Sequence, residues 1–262
     1  MMLGIANMRA DFARMRRGPF SSGVRAMTAT TPQSPTVVLV HGAWADGSSW
    51  QRVIPLLTRK GIPVVAVQNP TTSLADDVAA TRRALNAIDG PVVLVGHSSG
   101  GAVITEAGND PKVKALVYVA AFAPKAGQTV GEQVQAHANP PALAHITDDG
   151  TGFLKLSAEG WVNDVGQDLP EEEARTLAIL QPPLAASTFG DKITQAAWDT
   201  RPNWYIVSTE DRVVSIDLER ETAAALNAKT TEVKASHLSL LSMPDAVADV
   251  ILDAVAATAA AR

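Results

Sequence analysis

Short apolar runs alternate with longer amphipathic segments along most of this chain. The runs are nearly continuous in apolar residues, which is typical of strands buried on both faces of a parallel sheet. They lie at 36–41, 62–68, 91–96, 113–120, 203–208 and 230–235. Segments with helical periodicity lie at 48–60, 73–88, 100–108, 216–228 and 244–260. The alternation predicts an α/β fold: a doubly wound, mostly parallel six-stranded sheet with helices on both faces.

The alternation is interrupted once, between residues 121 and 201. This segment has no long β-branched run, and it is too long for a plain loop. Within it, Pro170 is followed by three glutamates, 171–173, as is typical of a helix N-terminus, where the macrodipole favours negative charge. We therefore expect a small helical cap at about 122–201 within a domain spanning 36–262. The three glutamates are assigned a structural role.

The first 35 residues differ in composition from the rest of the chain. They are rich in Arg, Ser and Thr, which predicts an N-terminal extension, 1–35, outside the core, with Met27 as an alternative start. Arg16-Arg17 resembles a twin-arginine export signal, but residues 18–31 lack the apolar segment that such a signal requires. Because no run approaches 18 apolar residues, we expect no membrane span and a cytoplasmic location.

Composition limits the ligands to consider. The 262 residues carry a formal net charge of -5, which gives no electrostatic reason to expect nucleic acid or an anionic membrane as a partner. The chain contains no cysteine, which excludes disulfides, thiolate nucleophiles and zinc–thiolate sites. A small molecule is therefore the expected partner. The sequence leaves the oligomeric state open.

The stretch Gly-His-Ser-Ser-Gly, residues 96–100, matches G-x-S-x-G between a predicted strand and a predicted helix. In that context the central serine lies on a strained turn, and the glycines let the strand and the helix approach each other. Ser98 has glycine at two-residue separation on both sides, whereas Ser99 does not. Ser98 is therefore the predicted nucleophile, and Ser99 offers its backbone N–H to a developing oxyanion. A glycine-rich turn without chemistry is the alternative.

A serine nucleophile needs a base that an acid orients. Among the five histidines, only His237 follows a late predicted strand on a loop, so it is the predicted base. In the order typical of this motif, the acid follows a strand that lies between the serine and the histidine in the chain. At the end of such a strand the chain reads Glu210-Asp211. We assign this role to Asp211, because Glu210 lies nearer the strand and would point elsewhere. Asp217 is instead typical of a helix N-cap.

The loop after the first predicted strand supplies the second oxyanion donor. It reads His-Gly-Ala-Trp from His41, and the N–H of Ala43 is the predicted donor. His41 and Gly42 are expected to shape the turn, and Trp44 to form a wall of the pocket. The alternative is a His-Gly turn in which Trp44 only packs.

Four motifs together, VVLVHGAW, VVLVGHSSGG, STEDRVV and ASHLSLLSMP, resemble the α/β-hydrolase superfamily from the first strand onward. The His-Gly-Ala-Trp turn and the short chain are similar to those of bacterial esterases related to plant methylesterases and hydroxynitrile lyases. The resemblance implies a triad of Ser98, Asp211 and His237, with Ala43 and Ser99 as oxyanion donors.

The chain departs from the lyases of that branch at two positions. They carry threonine where this chain has Gly42, and lysine where it has Leu238. Because that lysine would stabilise the leaving cyanide, its absence argues against cyanohydrin cleavage. Haloalkane dehalogenases and epoxide hydrolases of the superfamily use an aspartate nucleophile, and Ser98 excludes that chemistry.

The expected function is hydrolysis of small or medium carboxylic esters by a serine esterase that needs no metal or organic cofactor. An apolar pocket is predicted from Trp44, Phe122, Phe153, Trp161 and Leu238. Two alternatives stay open. One is a cofactor-free perhydrolase of the haloperoxidase type, which uses the same triad with peroxide in place of water. The other is a weakly catalytic small-molecule receptor. An intact triad argues against this alternative.

Overall fold

The computed structural model describes residues 34–260. The predicted extension, 1–35, lies outside the described residues except for its last two, and Met27 also lies outside them. Within the described part, no helix combines the length and the apolar composition needed to cross a membrane.

A six-stranded parallel sheet forms the centre of the described chain. The described residues contain nine strands, of which six belong to this sheet. They are β1 (Thr36–Val40), β2 (Val64–Ala66), β3 (Val92–His97), β4 (Val113–Val119), β5 (Ile146–Asp148), β6 (Phe153–Leu156), β7 (Leu184–Ala185), β8 (Asn203–Ser208) and β9 (Lys229–Val233). The central sheet has the order β2-β1-β3-β4-β8-β9, and all its neighbouring strands run parallel. The predicted α/β sheet is confirmed, since each of the six apolar runs overlaps one of these strands.

Helices follow most of the strands. They are α1 (Ile54–Thr58), α2 (Leu74–Asn86), α3 (Gly100–Ala107), α4 (Val130–Gln135), α5 (Ala158–Gly160), α6 (Glu171–Leu180), α7 (Ile216–Ala225), α8 (Ser239–Ser242) and α9 (Pro244–Ala260). The single helix predicted over 48–60 is wrong: the structure has a 3₁₀ turn at Gly47–Trp50 and then the short α1. Pro55 near the start of α1 explains the break, because its missing N–H suits a first turn and not a helix interior.

Two apolar cores cover the two faces of the central sheet. Strand residues Val37 and Val38 point into different cores, as the alternation of side chains along a strand requires. Residues of α1 and α9 pack on one face, and residues of α2, α3 and α7 pack on the other. The core on the α1 and α9 face also contains Trp161 and other residues of the segment between β4 and β8, so this segment packs directly on the domain.

The segment between β4 and β8 is richer in structure than the sequence indicates. Its helix α6 begins directly after Pro170 with three glutamates in the first turn, as predicted. However, β5, β6 and β7 form a three-stranded antiparallel sheet, which the prediction of a helical cap did not include. These strands are two to four residues long, too short to produce a recognisable alternating pattern.

The strand order identifies the edge at which a ligand is expected. From β1 the chain passes to β2 on one side, whereas β3 lies on the other side of β1. Parallel sheets bind ligands outside the carboxyl ends of the strands at such a switch point. The loops that follow β1 and β3 therefore lie next to each other at this edge, and they carry Ala43 and Ser98.

Candidate active site

Ser98 lies on a sharp turn between β3 and α3. Its φ is 54°, a left-handed conformation that residues other than glycine rarely adopt. A Cβ on Gly96 would lie 2.6 Å from the carbonyl oxygen of Gly100, and a Cβ on Gly100 would lie 2.6 Å from the carbonyl oxygen of His41. Only glycine fits both positions. The G-x-S-x-G spacing is thus explained by close backbone contacts on both sides of the serine.

The loop after β1 approaches this turn closely. A Cβ on Gly42 would lie 2.7 Å from Cβ of Ser98, so glycine is required there too. The backbone N–H groups of Ala43 and Ser99 donate no hydrogen bond to another described residue, which leaves both available to a ligand. Trp44 follows with a φ of 56°.

Two side chains hold the loop after β1 in this conformation. The indole N–H of Trp44 donates to the carbonyl of Leu154 in β6, at 2.9 Å, and ties the loop to the segment between β4 and β8. His41 donates from Nδ1 to the carbonyl of Gly42 at 2.8 Å and accepts from the backbone N–H of Asn69 at 2.9 Å. Burial lowers the pKa of His41, so the neutral tautomer that these two bonds require is favoured.

His237 and Asp211 are joined by a short hydrogen bond. Nδ1 of His237 lies 2.5 Å from Oδ2 of Asp211, and both side chains are buried. The other oxygen, Oδ1, accepts from the backbone N–H groups of Val213 and Val214, at 2.6 and 2.9 Å. Three N–H donors therefore stabilise Asp211 as a carboxylate. An imidazole oriented in this way presents Nε2 for proton transfer.

His97, which directly precedes Ser98, connects the serine turn to the histidine loop. Its Nε2 lies 2.9 Å from the backbone carbonyl oxygen of His237, and the two imidazole rings lie 4.6 Å apart between centroids. His97 occupies a variable position of the motif, and the sequence indicates no role for it. Because G-x-S-x-G leaves this position variable, the pattern carried no signal for the contact.

The two other acids considered from the sequence lie elsewhere. Glu210 is exposed, and its carboxylate lies 3.6 Å from the ammonium of Lys234. Asp217 is exposed in the first turn of α7. The prediction that Asp217 is the N-cap is wrong, because the helix begins at Ile216 and Ser215, two residues before Asp217, occupies the cap position.

Three of the five predicted pocket residues line one cavity. Trp44, Trp161 and Leu238 are almost fully buried and surround a space of about 30 Å³ together with residues of α6 and α8. Leu180 also lines it while 61% exposed, so the cavity reaches the surface beside the end of α6.

The other two predicted pocket residues are not among those that line this cavity. Phe122 donates its backbone N–H to the carbonyl of Ser98, at 3.1 Å, but its side chain belongs to the core on the opposite face of the sheet. The sequence could not indicate this direction, because Phe122 lies where the regular strand pattern ends. Phe153 lies in β6, paired with Ala185 of β7, and its assignment to the pocket stays a prediction.

The two remaining histidines contact carboxylates outside this site. Nε2 of His137 lies 3.0 Å from a carboxylate oxygen of Glu221, and Nε2 of His145 lies 3.2 Å from a carboxylate oxygen of Asp164. A groove of about 840 Å³ runs past His145, Asp164 and Arg212, but none of the predicted site residues lines it. Among residues 34–260, no three His, Asp or Glu side chains are arranged to hold a metal ion.

Comparison with known proteins agrees with the fold. The sequence profile of the alpha/beta hydrolase family matches residues 37–250. A solved structure of a pyrethroid hydrolase from Sphingobium faniae has a TM-score of 0.75 at 24% identity, over 85% of this chain and 98% of that chain.

Relatives in sequence include several hydrolases. The probable hydrolase R7 of Phoma sp. is 28% identical over 84% of this chain and 97% of its own length. Methylesterase 2 of Arabidopsis thaliana is 27% identical over 70% of this chain and 81% of its own length. The alpha-hydroxynitrile lyase of Arabidopsis thaliana is 24% identical over 81% and 93%. The predicted relation to the methylesterase and hydroxynitrile lyase branch is thereby confirmed. Because the profile matches most of the sequence, the chain belongs to the alpha/beta hydrolase family.

Proposed function

We propose that this protein is a serine esterase that cleaves small or medium carboxylic esters through an acyl-enzyme. One observation carries the proposal: a buried Asp211–His237 pair with a 2.5 Å hydrogen bond lies at the same edge of the sheet as Ser98, whose backbone is held at a φ of 54°. The contact between His97 and His237 supports this, since it brings the histidine loop against the residue next to Ser98.

In the first half-reaction, Nε2 of His237 takes the proton of the Ser98 hydroxyl while its oxygen attacks the ester carbonyl. Asp211 stabilises the imidazolium that forms and keeps Nδ1 turned away from the serine. The negative oxygen of the tetrahedral intermediate accepts hydrogen bonds from the N–H groups of Ala43 and Ser99. When the intermediate collapses, His237 gives its proton to the leaving alcohol, and the acyl group stays on Ser98.

In the second half-reaction, water replaces the alcohol. His237 removes a proton from the water as it attacks the acyl carbon, and the same two N–H groups stabilise the second oxyanion. The proton then returns to the oxygen of Ser98 as the carboxylic acid leaves. Removing one oxyanion donor costs about 10²–10³ in rate in comparable enzymes, so the two backbone amides contribute substantially to the rate.

The apolar cavity beside the site supports an ester with an apolar acyl or alcohol group. Trp44, Trp161 and Leu238 give the cavity its apolar lining, and the exposed side chain of Leu180 marks an apolar entrance. The relatives named as a methylesterase and as hydrolases support hydrolytic chemistry. A small-molecule ester is the proposed partner, and a cytoplasmic location stays a prediction.

The test is a panel of p-nitrophenyl esters of increasing acyl length, assayed with and without a serine-directed phosphonate. We expect hydrolysis that is fastest for short or medium chains and is abolished when one phosphonate binds per chain, with peptide mapping placing the label on Ser98. Binding of esters without turnover would favour the receptor alternative. Peroxide-dependent oxidation that outpaces hydrolysis would favour the perhydrolase. A label on any other residue would contradict the mechanism.

A further inference from the structure

Glu219 is a fully buried acid that the mechanism above does not use. It lies in α7, and its side chain is 0% exposed. Its Oε2 accepts a hydrogen bond from the backbone N–H of Ser208 at 3.0 Å, whereas no donor in the described chain reaches its Oε1. Arg220, the next residue, makes only the smallest contribution to the pKa of Glu219, because it is exposed and forms a bidentate pair with Glu232 at 2.9 and 3.0 Å.

The group that faces Glu219 is the carboxyl group of Asp211, with which it is in hydrogen-bonding contact. Both residues are tied to the end of β8, since the N–H of Asp211 donates to the carbonyl of Ser208 at 3.0 Å. The other titratable group nearby, Tyr205, directs its hydroxyl to the carbonyl of Ala121 at 2.5 Å. Among the described residues, no cation forms an ion pair with Glu219, and no additional N–H reaches its Oε1.

Two buried carboxyl groups in contact cannot both be ionised without a large energetic cost, so one proton is held between them. Asp211 accepts three N–H donors and Glu219 accepts one, so the negative charge is better stabilised on Asp211. Burial and the charge of Asp211 both raise the pKa of Glu219 well above its ordinary value. A proton on Oε1 would give a hydrogen-bonding function to the one atom of this carboxyl group that no donor reaches.

We propose that Glu219, as a neutral carboxylic acid, donates a hydrogen bond to Asp211 and acts as a positioning residue for the Asp211–His237 pair. This rests on the proposed function, because Asp211 and His237 are the groups that it serves. The added hydrogen bond helps to fix the orientation of the Asp211 carboxylate, which accepts from Nδ1 of His237. The neutral state adds no second negative charge beside the imidazole. Glu219 touches no reacting atom and acts only through Asp211.

The test uses two variants with opposite hydrogen-bonding capacity. Glu219→Gln keeps the shape, an oxygen for the N–H of Ser208 and an N–H for Asp211, and it carries the same charge as the neutral acid. Glu219→Leu removes the donor. Glu221→Gln, on the same helix and exposed, is the matched control. Turnover of a p-nitrophenyl ester gives kcat, KM and the acid limb of the pH profile. Infrared spectra of the folded protein report the carbonyl stretch of a protonated carboxylic acid.

We expect Glu219→Gln to keep kcat within about threefold of wild type, whereas Glu219→Leu lowers kcat at least about tenfold at similar KM, as expected for loss of a hydrogen bond to a charged group. The acid limb should not move in Glu219→Gln. The stretch of the protonated acid should be present in wild type and in Glu221→Gln and absent from Glu219→Gln.

Two results would overturn the proposal. A shift of the acid limb to lower pH in Glu219→Gln would show that a negative charge had been removed. A missing protonated-acid stretch in wild type would show that Glu219 is ionised. The infrared measurement needs no turnover, so it decides the state of Glu219 even if the protein hydrolyses no ester, or if Glu219→Leu does not fold.

Discussion

Nε2 of His97 lies 2.9 Å from the backbone carbonyl oxygen of His237, although 140 residues separate them in the chain. Because a carbonyl only accepts, Nε2 carries the proton, and Nδ1 is the unprotonated nitrogen. Burial lowers the pKa of His97 well below its ordinary value, which favours the neutral ring. The neutral ring of His97, next to Ser98, therefore donates a hydrogen bond that fixes the backbone of His237.

This contact predicts a role for His97 in turnover. His97→Phe keeps a flat ring but loses the donor, so the backbone of His237 is held less firmly. We expect kcat to fall about tenfold, in line with the loss of one buried hydrogen bond, with little change in KM. His137→Phe, a histidine outside the site, is the control for the loss of an imidazole. Equal kcat values for His97→Phe and wild type would contradict the prediction.

The two adjacent serines should differ sharply. Ser98→Ala removes the nucleophile, and ester turnover should drop by about 10⁶, the scale seen for a triad serine. Ser99→Ala should retain activity within about threefold, because only its backbone N–H takes part. The comparison of kcat for the two purified variants checks this. Similar losses in both would show that the nucleophile had been assigned incorrectly.

Of the three acids Glu210, Asp211 and Asp217, only Asp211 should control turnover. Asp211→Asn removes the charged acceptor of the Nδ1 proton of His237, and an effect of about 10⁴ on kcat is expected. Glu210→Gln and Asp217→Asn alter exposed carboxylates and should change kcat less than threefold or so. Melting temperatures of the three variants separate lost chemistry from lost folding. If Asp217→Asn were the inactive variant at normal stability, the acid would lie on another loop.

Cyanohydrin cleavage is expected to be absent. Any side chain at position 42 would place its Cβ 2.7 Å from Cβ of Ser98, so this backbone requires glycine there. Leu238, which directly follows the proposed base, is a buried apolar residue and supplies no cation for a leaving cyanide. We predict hydrolysis of short aryl esters and no cyanide release from mandelonitrile above the uncatalysed rate. Cyanide release by wild type that Ser98→Ala abolishes would identify a lyase instead.

Asp77 makes the stability of the fold depend on pH. It accepts the N–H of Thr71, at 2.8 Å, and burial raises its pKa to about 6. The folded state therefore binds more protons than the unfolded state between about pH 4 and pH 6, so this carboxyl group lowers stability as pH rises through that range. Asp77→Asn keeps the acceptor and removes the titration, so its melting temperature relative to wild type should rise from pH 4 to pH 7.

The neighbouring Asp76 provides a control of opposite sign. Hydrogen bonds from Ser73 and Thr72 lower the pKa of Asp76, so its contribution to stability is present above its unfolded pKa and is lost in acid. Asp76→Asn should therefore lose melting temperature relative to wild type as pH rises from acid to neutral. The same trend in both variants would show that a change elsewhere in the protein dominates.

Much of the framework could be predicted from local sequence. The six apolar runs predicted the central strands because residues buried on both faces of a parallel sheet must all be apolar. The spacing of Gly96 and Gly100 around Ser98 singled out the turn because backbone contacts there exclude any Cβ. The three glutamates after Pro170 indicated the start of α6 because the unpaired N–H groups of a helix N-terminus favour acids. Each of these signals is encoded within a few consecutive residues.

Contacts between distant segments could not be predicted in this way. The bond from His97 to His237 and the contact of Glu219 with Asp211 depend on how the loops after different strands meet, and no local pattern encodes that distance. The side-chain direction of Phe122, which packs on the face of the sheet opposite the cavity, could not be predicted locally either. The short strands β5, β6 and β7 are stabilised by pairing with one another, which no local pattern shows. The sequence by itself thus determined the order of the predicted serine, acid and histidine along the chain, each after a strand, and the turn that exposes Ser98. Tertiary packing alone decided which buried polar groups surround them, because burial and hydrogen bonding are properties of neighbours in space.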